Sequence, residues 1–202
     1  MNMAFRSIVL LLGMAAILGG CSKGGAATPK DAVANLSKSY EKGDRALYLA
    51  SVEVGPDGQE LAGALFDLTV AMKGYRSDME KAYGKGAGGS RRDSGVLTEE
   101  ELSKLEIKEE GDKATVKSPE GGEPLKLVKR DGAWRVDMTH MTPPADIRQR
   151  MIESMKARAK AVGEVRAKIG QPGMTKEKIG QEFLRAMVGG DMGGRIPTPP
   201  AP

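Results

Sequence analysis

The sequence predicts an α+β fold in which N-terminal helices pack on a four-stranded antiparallel meander and are followed by C-terminal helices. Three stretches with different hydrophobic periods carry this prediction. Between residues 28 and 83 apolar residues recur every three or four positions, as on one face of a helix. Between residues 105 and 138 they alternate with polar residues, as in half-buried strands. From residue 142 onward the helical period returns.

The start of the chain has the layout of a secretory signal peptide. A short region ending in Arg6 precedes an apolar run over residues 8–17, and small residues follow. A helix that crosses a bilayer needs about 20 apolar residues, so this run is too short to serve as a membrane span. We therefore expect residues 1–20 to be a signal peptide that is removed during export.

Leu18, Gly19 and Gly20 stand directly before Cys21 at the end of this segment. They resemble the lipobox of bacterial lipoproteins, in which a peptidase cuts before a cysteine that carries diacylglycerol. The resemblance implies a lipid anchor on Cys21 in the bacterial cell envelope. Ser22, rather than Asp, follows the cysteine, which favours the outer over the inner membrane. The alternatives are an ordinary signal peptide with a chance cysteine, or a buried apolar helix.

Cysteine usage limits how the exported domain can be stabilised. Cys21 is the single cysteine, so no disulfide can form within the chain. The domain must therefore be held together by core packing, for which the chain is long enough. Residues 21–28, rich in Gly and Ala, are predicted to be a flexible lipidated tether.

Three predicted N-terminal helices are marked by capping residues. Thr28 is the expected N-cap of the first helix, and Gly43 ends it. Asp44 caps a short second helix. Asp57 and Glu60 have the spacing of a capping box at the start of the third.

The third helix, predicted to run to about residue 83, carries one apolar seam at helical spacing. At the usual rise per residue it would be about 40 Å long, enough to lie across a small sheet. We expect the seam to pack on the sheet, with a coiled-coil partner as the alternative. Its residues are Leu61, Leu65, Leu68, Met72, Tyr75 and Met79.

Four short strands are predicted between residues 105 and 138, joined by turns at residues 111–112, 121–122 and 131–132. The last turn is an Asp-Gly pair, which hairpins favour. One face of this meander is apolar, and the other is charged and expected to be wet. The apolar positions are Leu105, Ile107, Ala114, Val116, Leu125, Leu127, Trp134, Val136 and Met138.

Beyond the sheet, two further helices are predicted, one from residue 142 to about residue 169 and one from residue 175 to about residue 188. A tail rich in Gly and Pro follows and is expected to be disordered. The predicted divisions are a signal peptide 1–20, a tether 21–28, an α+β domain 29–142, a helical extension 143–189 and a tail 190–202.

The order of helices and meander, the Gly43 and Asp44 pair after the first helix, and the closing strand with Trp134 resemble the nuclear-transport-factor-two-like, or SnoaL-like, domains. The likeness covers residues 28–138. It implies a curved sheet wrapped around helices as a cone, with any catalytic Asp, Tyr or His inside the cone. The family's first strand is reduced here to residues 51–54, and the C-terminal helices are not part of its pattern.

Candidate catalytic groups are few. His140, the single histidine, follows the last strand, where a surface position is expected rather than a general base. Tyr40, Tyr48 and Tyr75 lie on apolar helical faces, so we expect them to fill the core rather than to catalyse a reaction. One histidine and one blocked cysteine cannot form a structural zinc site, and no cofactor is expected.

A glycine-rich segment also carries no phosphate site. Gly84, Gly86 and Gly89 match the letters of a dinucleotide fingerprint, yet they follow a helix, whereas that motif needs a strand before it and a helix after it. Ser90 stands where a phosphate loop needs lysine. An exposed flexible loop is expected at residues 84–95.

Charge is distributed unevenly. Residues 143–169 carry seven Lys or Arg and three Asp or Glu, whereas residues 29–142 carry 18 and 21. Each basic residue close to an anionic membrane contributes about 1 kcal/mol of binding, so this helix is a candidate for membrane or partner contact. A solvated helix face is the commoner meaning of such a pattern, and nucleic acid is not expected in this compartment. The candidate contact residues are Arg148, Arg150, Lys156 and Arg158.

Seven of the 12 methionines lie between residues 138 and 192, which suits either an adaptable binding surface or irregular core packing.

We expect a membrane-anchored envelope lipoprotein whose domain binds an envelope protein or a small apolar ligand, or serves as a scaffold, without catalysis. One alternative is a small-molecule pocket enzyme of the SnoaL-like group, which needs a carboxylate or tyrosine aligned in the cone. The other is a purely structural envelope protein.

Overall fold

The structure is a computed structural model and describes residues 26–89, 96–118 and 121–188. The predicted signal peptide, the lipobox with Cys21, and the tail 190–202 lie outside the described residues. Within them, the predicted α+β class is confirmed, because N-terminal helices, a sheet that contains the meander, and C-terminal helices follow one another.

Six α-helices, one short 3₁₀ helix (Thr139–Met141) and five strands are present in the described ranges. The helices are α1 (Pro29–Lys42), α2 (Arg45–Ser51), α3 (Gln59–Tyr83), α4 (Glu99–Ser103), α5 (Ala145–Arg166) and α6 (Lys176–Val188). The strands are β1 (Val52–Glu53), β2 (Glu106–Glu110), β3 (Lys113–Lys117), β4 (Leu125–Arg130) and β5 (Ala133–Asp137).

The sheet has the strand order β1-β5-β4-β3-β2. Strands β2 to β5 form the predicted antiparallel meander. The strand β1 adds a fifth member, which pairs in parallel with β5 through Val52 and Val136. The reduced strand expected at residues 51–54 is therefore present, and the sheet is wider by one strand than the meander alone.

Local signals in the sequence place the first helices and the hairpins. The Thr28 hydroxyl accepts a hydrogen bond from the backbone N–H of Asp31 at 3.1 Å, and the Asp44 carboxylate accepts one from Leu47 at 2.9 Å. Both interactions satisfy N–H groups that the first turn of a helix leaves without partners. Gly43 ends α1 with φ of 66°, a left-handed conformation that glycine adopts without strain.

The turn between β4 and β5 has φ of 51° at Asp131 and 77° at Gly132. Positive φ at both central residues is the requirement of a type I′ turn, whose twist matches that of the flanking strands. Asp131 is the only non-glycine residue with positive φ in the part of the chain that the structure describes.

Helices α1 and α2 cover one face of the sheet and contact β5 most closely. The core between these helices and the sheet is apolar. Its cover is incomplete at Ile107 of β2 and at Leu125, the first residue of β4, which are 36% and 40% exposed. The buried core residues of this layer are Ala26, Ala32, Val33, Tyr48, Val52, Ala62, Phe66, Ala114, Val116, Leu127, Trp134 and Val136.

Helix α3 does not lay its predicted seam on the sheet, and that expectation is wrong. Tyr75 and Met79 pack with Val162 and Val165 of α5, and near the start of the helix Leu61 packs with α5 as well. A different face of α3, the one with Ala62 and Phe66, reaches the sheet core. Helix α3 is apolar on two sides. The seam that is easiest to recognise in the sequence is therefore not necessarily the side that faces the sheet.

The predicted capping box at the start of α3 is also wrong. The helix begins at Gln59 with Gly58 as N-cap, and no side chain caps it. The carboxylate of Asp57 instead accepts a hydrogen bond from Arg148 at 3.2 Å, and that of Glu60 accepts one from Lys156 at 2.7 Å. Both carboxylates therefore link α3 to α5 rather than to their own backbone.

The C-terminal helices pack on α3, and α5 runs in the same direction as α3. Ile152 lies with Leu61 and Ala64 near the starts of the two helices, whereas Val162 and Val165 lie with Met79 near their ends. Ile179 of α6 completes the second of these clusters. The predicted boundary after residue 142 therefore does not separate two independently packed units, because α5 covers the seam of α3.

Candidate functional site

The chain enters the described domain at the sheet edge that carries β1. The Ala26 N–H donates to the Trp134 carbonyl at 3.4 Å, and the Trp134 N–H donates to the Ala26 carbonyl at 2.8 Å. On its other side Trp134 pairs with Lys129 of β4, so Ala26 lies on the side of β5 where β1 lies. The side chain of Ala26 is buried in the core.

This attachment shortens the predicted tether of residues 21–28. Ala26 is bonded to the sheet, and Thr28 caps α1, so the last part of that segment belongs to the domain. Cys21 stands five residues before Ala26. Five residues span at most about 18 Å even when fully extended. A lipid on Cys21 would therefore hold the β1 edge of the sheet close to the membrane surface.

Packed aromatic rings from α1, α2 and α3 fill the space between these helices. The ring of Tyr48 lies 5.3 Å from that of Tyr40 and 4.8 Å from that of Phe66, measured between centroids. Tyr48 is fully buried, and its hydroxyl lies 3.6 Å from the sulfur of Met138. Burial raises the pKa of both Tyr40 and Tyr48 above 10.0, so both phenols stay protonated near neutral pH.

The remaining candidate groups also lack a catalytic arrangement. Tyr75 stacks on Phe183 of α6 with 4.0 Å between ring centroids, and burial raises its pKa as well. His140 is exposed on a short 3₁₀ turn after β5, as expected. The described part of the chain holds no group of three His, Cys, Asp or Glu residues that could bind a metal ion.

The glycine-rich segment after α3 has the geometry of a turn. Gly84, Gly86 and Gly89 all have positive φ and follow the helix, which is the arrangement expected of a loop. Ser90 and the rest of residues 90–95 lie outside the described residues.

The four basic residues proposed for membrane or partner contact lie on α5. Besides the pairs of Arg148 with Asp57 and Lys156 with Glu60, Arg150 lies 3.5 Å from Asp146 one turn earlier on the same helix. Hydrogen bonding to Lys156 lowers the pKa of Glu60. Arg158 is half-buried. These pairs reduce the charge that α5 presents to an anionic surface.

An ion pair that the sequence did not indicate lies in an open cleft beside β1. Arg135 donates to Glu53 at 2.9 Å, and each side chain is 24% exposed. The cleft has a volume of about 290 Å³, and Gln59 adds one further polar side chain to a lining that is otherwise aliphatic. The two charges neutralise each other, and no nucleophile or histidine lies with them in this lining. The arrangement can hydrogen-bond a polar group but offers no acid–base pair.

A second open groove, of about 360 Å³, runs along β2 and β3 on the charged face of the sheet. Five of its eight lining residues are lysine or glutamate, and the others are Ile107, Ala114 and Thr115. Helices in the described ranges are all too short or too polar to cross a bilayer.

Comparison with known proteins assigns no family, since no protein-family model, curated protein or solved structure matches this chain. The likeness to SnoaL-like domains therefore stays a prediction from the sequence.

Proposed function

We propose that the chain is a bacterial envelope lipoprotein, held to the membrane by lipid on Cys21, whose folded part is a non-enzymatic binding or scaffold domain. The observation that carries the proposal is the lipobox formed by Leu18, Gly19 and Gly20 before Cys21, directly after an apolar signal run. The attachment of Ala26 to the sheet supports it, because the fold begins only five residues after the lipid site.

Packing of the interior supports binding rather than catalysis. A pocket enzyme needs space for a substrate beside a group whose pKa suits proton transfer near neutral pH. Here the rings of Tyr40, Tyr48 and Phe66 occupy the interior, and the raised pKa of the two tyrosines moves them away from neutrality. The two clefts described above lie beside β1 and along β2 and β3, away from these rings.

Membrane contact through α5 stays a prediction. Ion pairs with acidic residues engage Arg148, Arg150 and Lys156, which favours the solvated-face alternative for this helix. The proposal therefore assigns membrane attachment to the lipid alone.

Metabolic labelling tests the anchor. Labelled palmitate should enter the wild-type chain and be absent from Cys21→Ser, which keeps the apolar run but lacks the thiol that accepts the lipid. Ser22→Ala serves as the matched control and should be labelled like the wild type. Equal labelling of wild type and Cys21→Ser would contradict the proposal.

The same cells test the proposed membrane. After separation of inner and outer membranes on a density gradient, the wild type should be found in the outer-membrane fraction. Ser22→Asp should move the chain to the inner membrane, since Asp after the lipidated cysteine is the retention signal that the lipobox resemblance implies. Wild-type protein in the inner-membrane fraction would contradict the outer-membrane address.

A further inference from the structure

Strand β2 lies at the edge of the sheet opposite to the edge where the chain leads to Cys21. Within the described residues β2 pairs with β3 alone, and all five of its side chains are exposed. Three strand spacings of about 4.8 Å separate β2 from β5, which carries Ala26 on its far side. In a lipid-anchored chain this edge is the one most remote from the attachment point.

The apolar face of the sheet continues to this edge without full cover. Ile107 of β2 lies directly opposite Val116 of β3, and Val116 lies opposite Leu125 of β4, so the three form one row across the strands. Val116 is buried, but Ile107 and Leu125 at the two ends of the row are each more than a third exposed. A further strand beside β2 would extend the row and cover Ile107.

The pairing of β2 with β3 shows which charges are favourable opposite β2. In the observed register Glu106 faces Lys117, Glu110 faces Lys113, and Ile107 faces Val116. Opposite charges placed directly across a strand pair each contribute roughly 0.2–1 kcal/mol. The open side of β2 presents the same glutamates and the same isoleucine. Lys108 lies 2.7 Å from the Glu110 carboxylate, but three glutamates against this one lysine leave the strand negative. The edge therefore favours a strand with basic and apolar residues at corresponding places.

The net charge of β2, three glutamates against one lysine, disfavours the other obvious occupant, a second copy of β2. An antiparallel pair of two β2 strands centred on Lys108 would place Glu106 opposite Glu110 at both ends, and like charges directly opposite are destabilising. A pair centred on Ile107 would place Glu106 opposite Lys108, so dimerisation through β2 is an outcome that the test must distinguish. Charged side chains are a common protection of a free edge against unspecific pairing. A strand with lysines opposite Glu106 and Glu110 would not be repelled in this way.

We propose that the β2 edge binds an extended basic segment of a partner protein, which adds to the sheet as a sixth strand. Lysine or arginine residues of the partner face Glu106 and Glu110, and an apolar residue between them covers Ile107. The groove over β2 and β3, on the face that carries Glu106 and Glu110, leaves room for long side chains. This inference rests on the proposed binding role and specifies the surface and the chemistry of the partner.

A synthetic peptide with the sequence of residues 112–118, which contains β3, is the probe. Its fluorescently labelled form is titrated with the purified full-length chain in detergent and followed by anisotropy. Glu106→Gln with Glu110→Gln should weaken binding about 2- to 30-fold, the range expected for loss of two cross-strand charge pairs. A second variant, Ile107→Ser, should weaken it through loss of the apolar contact.

The matched control removes two exposed acidic charges far from β2, by Glu41→Gln with Glu164→Gln, and should leave the affinity unchanged. A peptide with both lysines replaced by glutamate should not bind the wild type. No binding of the original peptide, or equal weakening by the edge variant and the control, would overturn the proposal. So would a stable dimer in sedimentation that Glu106→Gln with Glu110→Gln strengthens, since β2 would then pair with itself.

The peptide assay and the palmitate assay test two different claims, so a negative result in one does not affect the other. A chain that binds the peptide but takes up no palmitate refutes the anchor and leaves the edge proposal standing. A chain that is acylated but does not bind the peptide refutes the edge proposal alone.

Discussion

Tyr48 is fully buried, with Tyr40 and Phe66 against its ring and the sulfur of Met138 near its hydroxyl. A buried phenolate would lose its hydration and find no cation among these neighbours, which is the reason that burial raises the pKa of Tyr48. In the unfolded chain tyrosine ionises near pH 10. The two tyrosines therefore stabilise the fold fully below that pH, and this contribution is lost as the pH rises toward the folded-state values.

The expected result is a free energy of unfolding that falls above about pH 10, by up to about 1.4 kcal/mol per pH unit for each tyrosine. Urea unfolding followed by circular dichroism at a series of pH values measures it. Tyr40→Phe with Tyr48→Phe should flatten the fall, because phenylalanine has no proton to release. An equally steep fall in this variant would show that other groups cause it.

Two glycines, Gly74 within α3 and Gly88 in the turn that follows it, differ in what a methyl group would meet. At Gly74 the nearest atoms belong to the Arg166 guanidinium, the movable end of a long side chain, whereas at Gly88 they belong to the backbone of Arg76. The Arg166 guanidinium donates to Asp78 at 2.9 Å, and a methyl group at Gly74 would displace it from this partly exposed pair. Gly74→Ala should change the free energy of unfolding by less than about 1 kcal/mol, since the gain in helix propensity offsets this loss. Gly88→Ala should cost about 1–3 kcal/mol. Equal effects in urea unfolding would contradict this difference.

At the scale of single elements, the turn between β4 and β5 depends on its φ angles. Asp131 and Gly132 both have positive φ. Asp131→Val should cost about 1–2 kcal/mol, because a branched side chain is strained in this region, whereas Asp131→Gly should be close to neutral. Thermal unfolding of the two variants checks the difference, and a neutral Asp131→Val would show that the turn adopts another form.

Elements were predictable from the sequence where their determinants are local. Thr28 and Asp44 cap their helices through bonds to residues three positions away, and the Asp131–Gly132 turn is equally local. Asp57 follows the same capping pattern, yet its partner is Arg148, 91 positions away. A pattern of neighbours carries no information about such a partner, so the capping prediction for α3 failed.

At the scale of the whole molecule, α5 serves as part of the core. The buried seam of α3 contacts α5 and α6 through Leu61, Ala64, Tyr75 and Met79. A chain that ends at residue 142 should expose this seam and lose several kcal/mol of stability, because each large apolar side chain contributes about 1.5–3 kcal/mol on burial. Urea unfolding and dye binding to apolar surface measure the loss. A chain that ends at Val188 is the control, and equal stability of both would contradict the packing.

The candidate surfaces were less predictable than the fold class. The charges on α5 are visible in the sequence. Their neutralisation by Asp57 and Glu60 is not, because it depends on how α5 packs near the start of α3, and the strands β2 to β5 lie between these two helices in the sequence. The pair of Glu53 and Arg135 joins residues 82 positions apart for the same reason. The free edge at β2 emerges only from the strand order, in which β1 joins β5 and leaves β2 outermost.

In the proposed account, lipid on Cys21 determines where the folded domain is located and which edge of the sheet faces away from the membrane. The intact mass of the native protein, extracted from membranes with detergent, tests this most directly. The account predicts a chain that begins at Cys21 and is heavier than its sequence by a diacylglyceryl group, with or without a further acyl chain. A native chain that begins at Met1, or that carries a free thiol at Cys21, would contradict it.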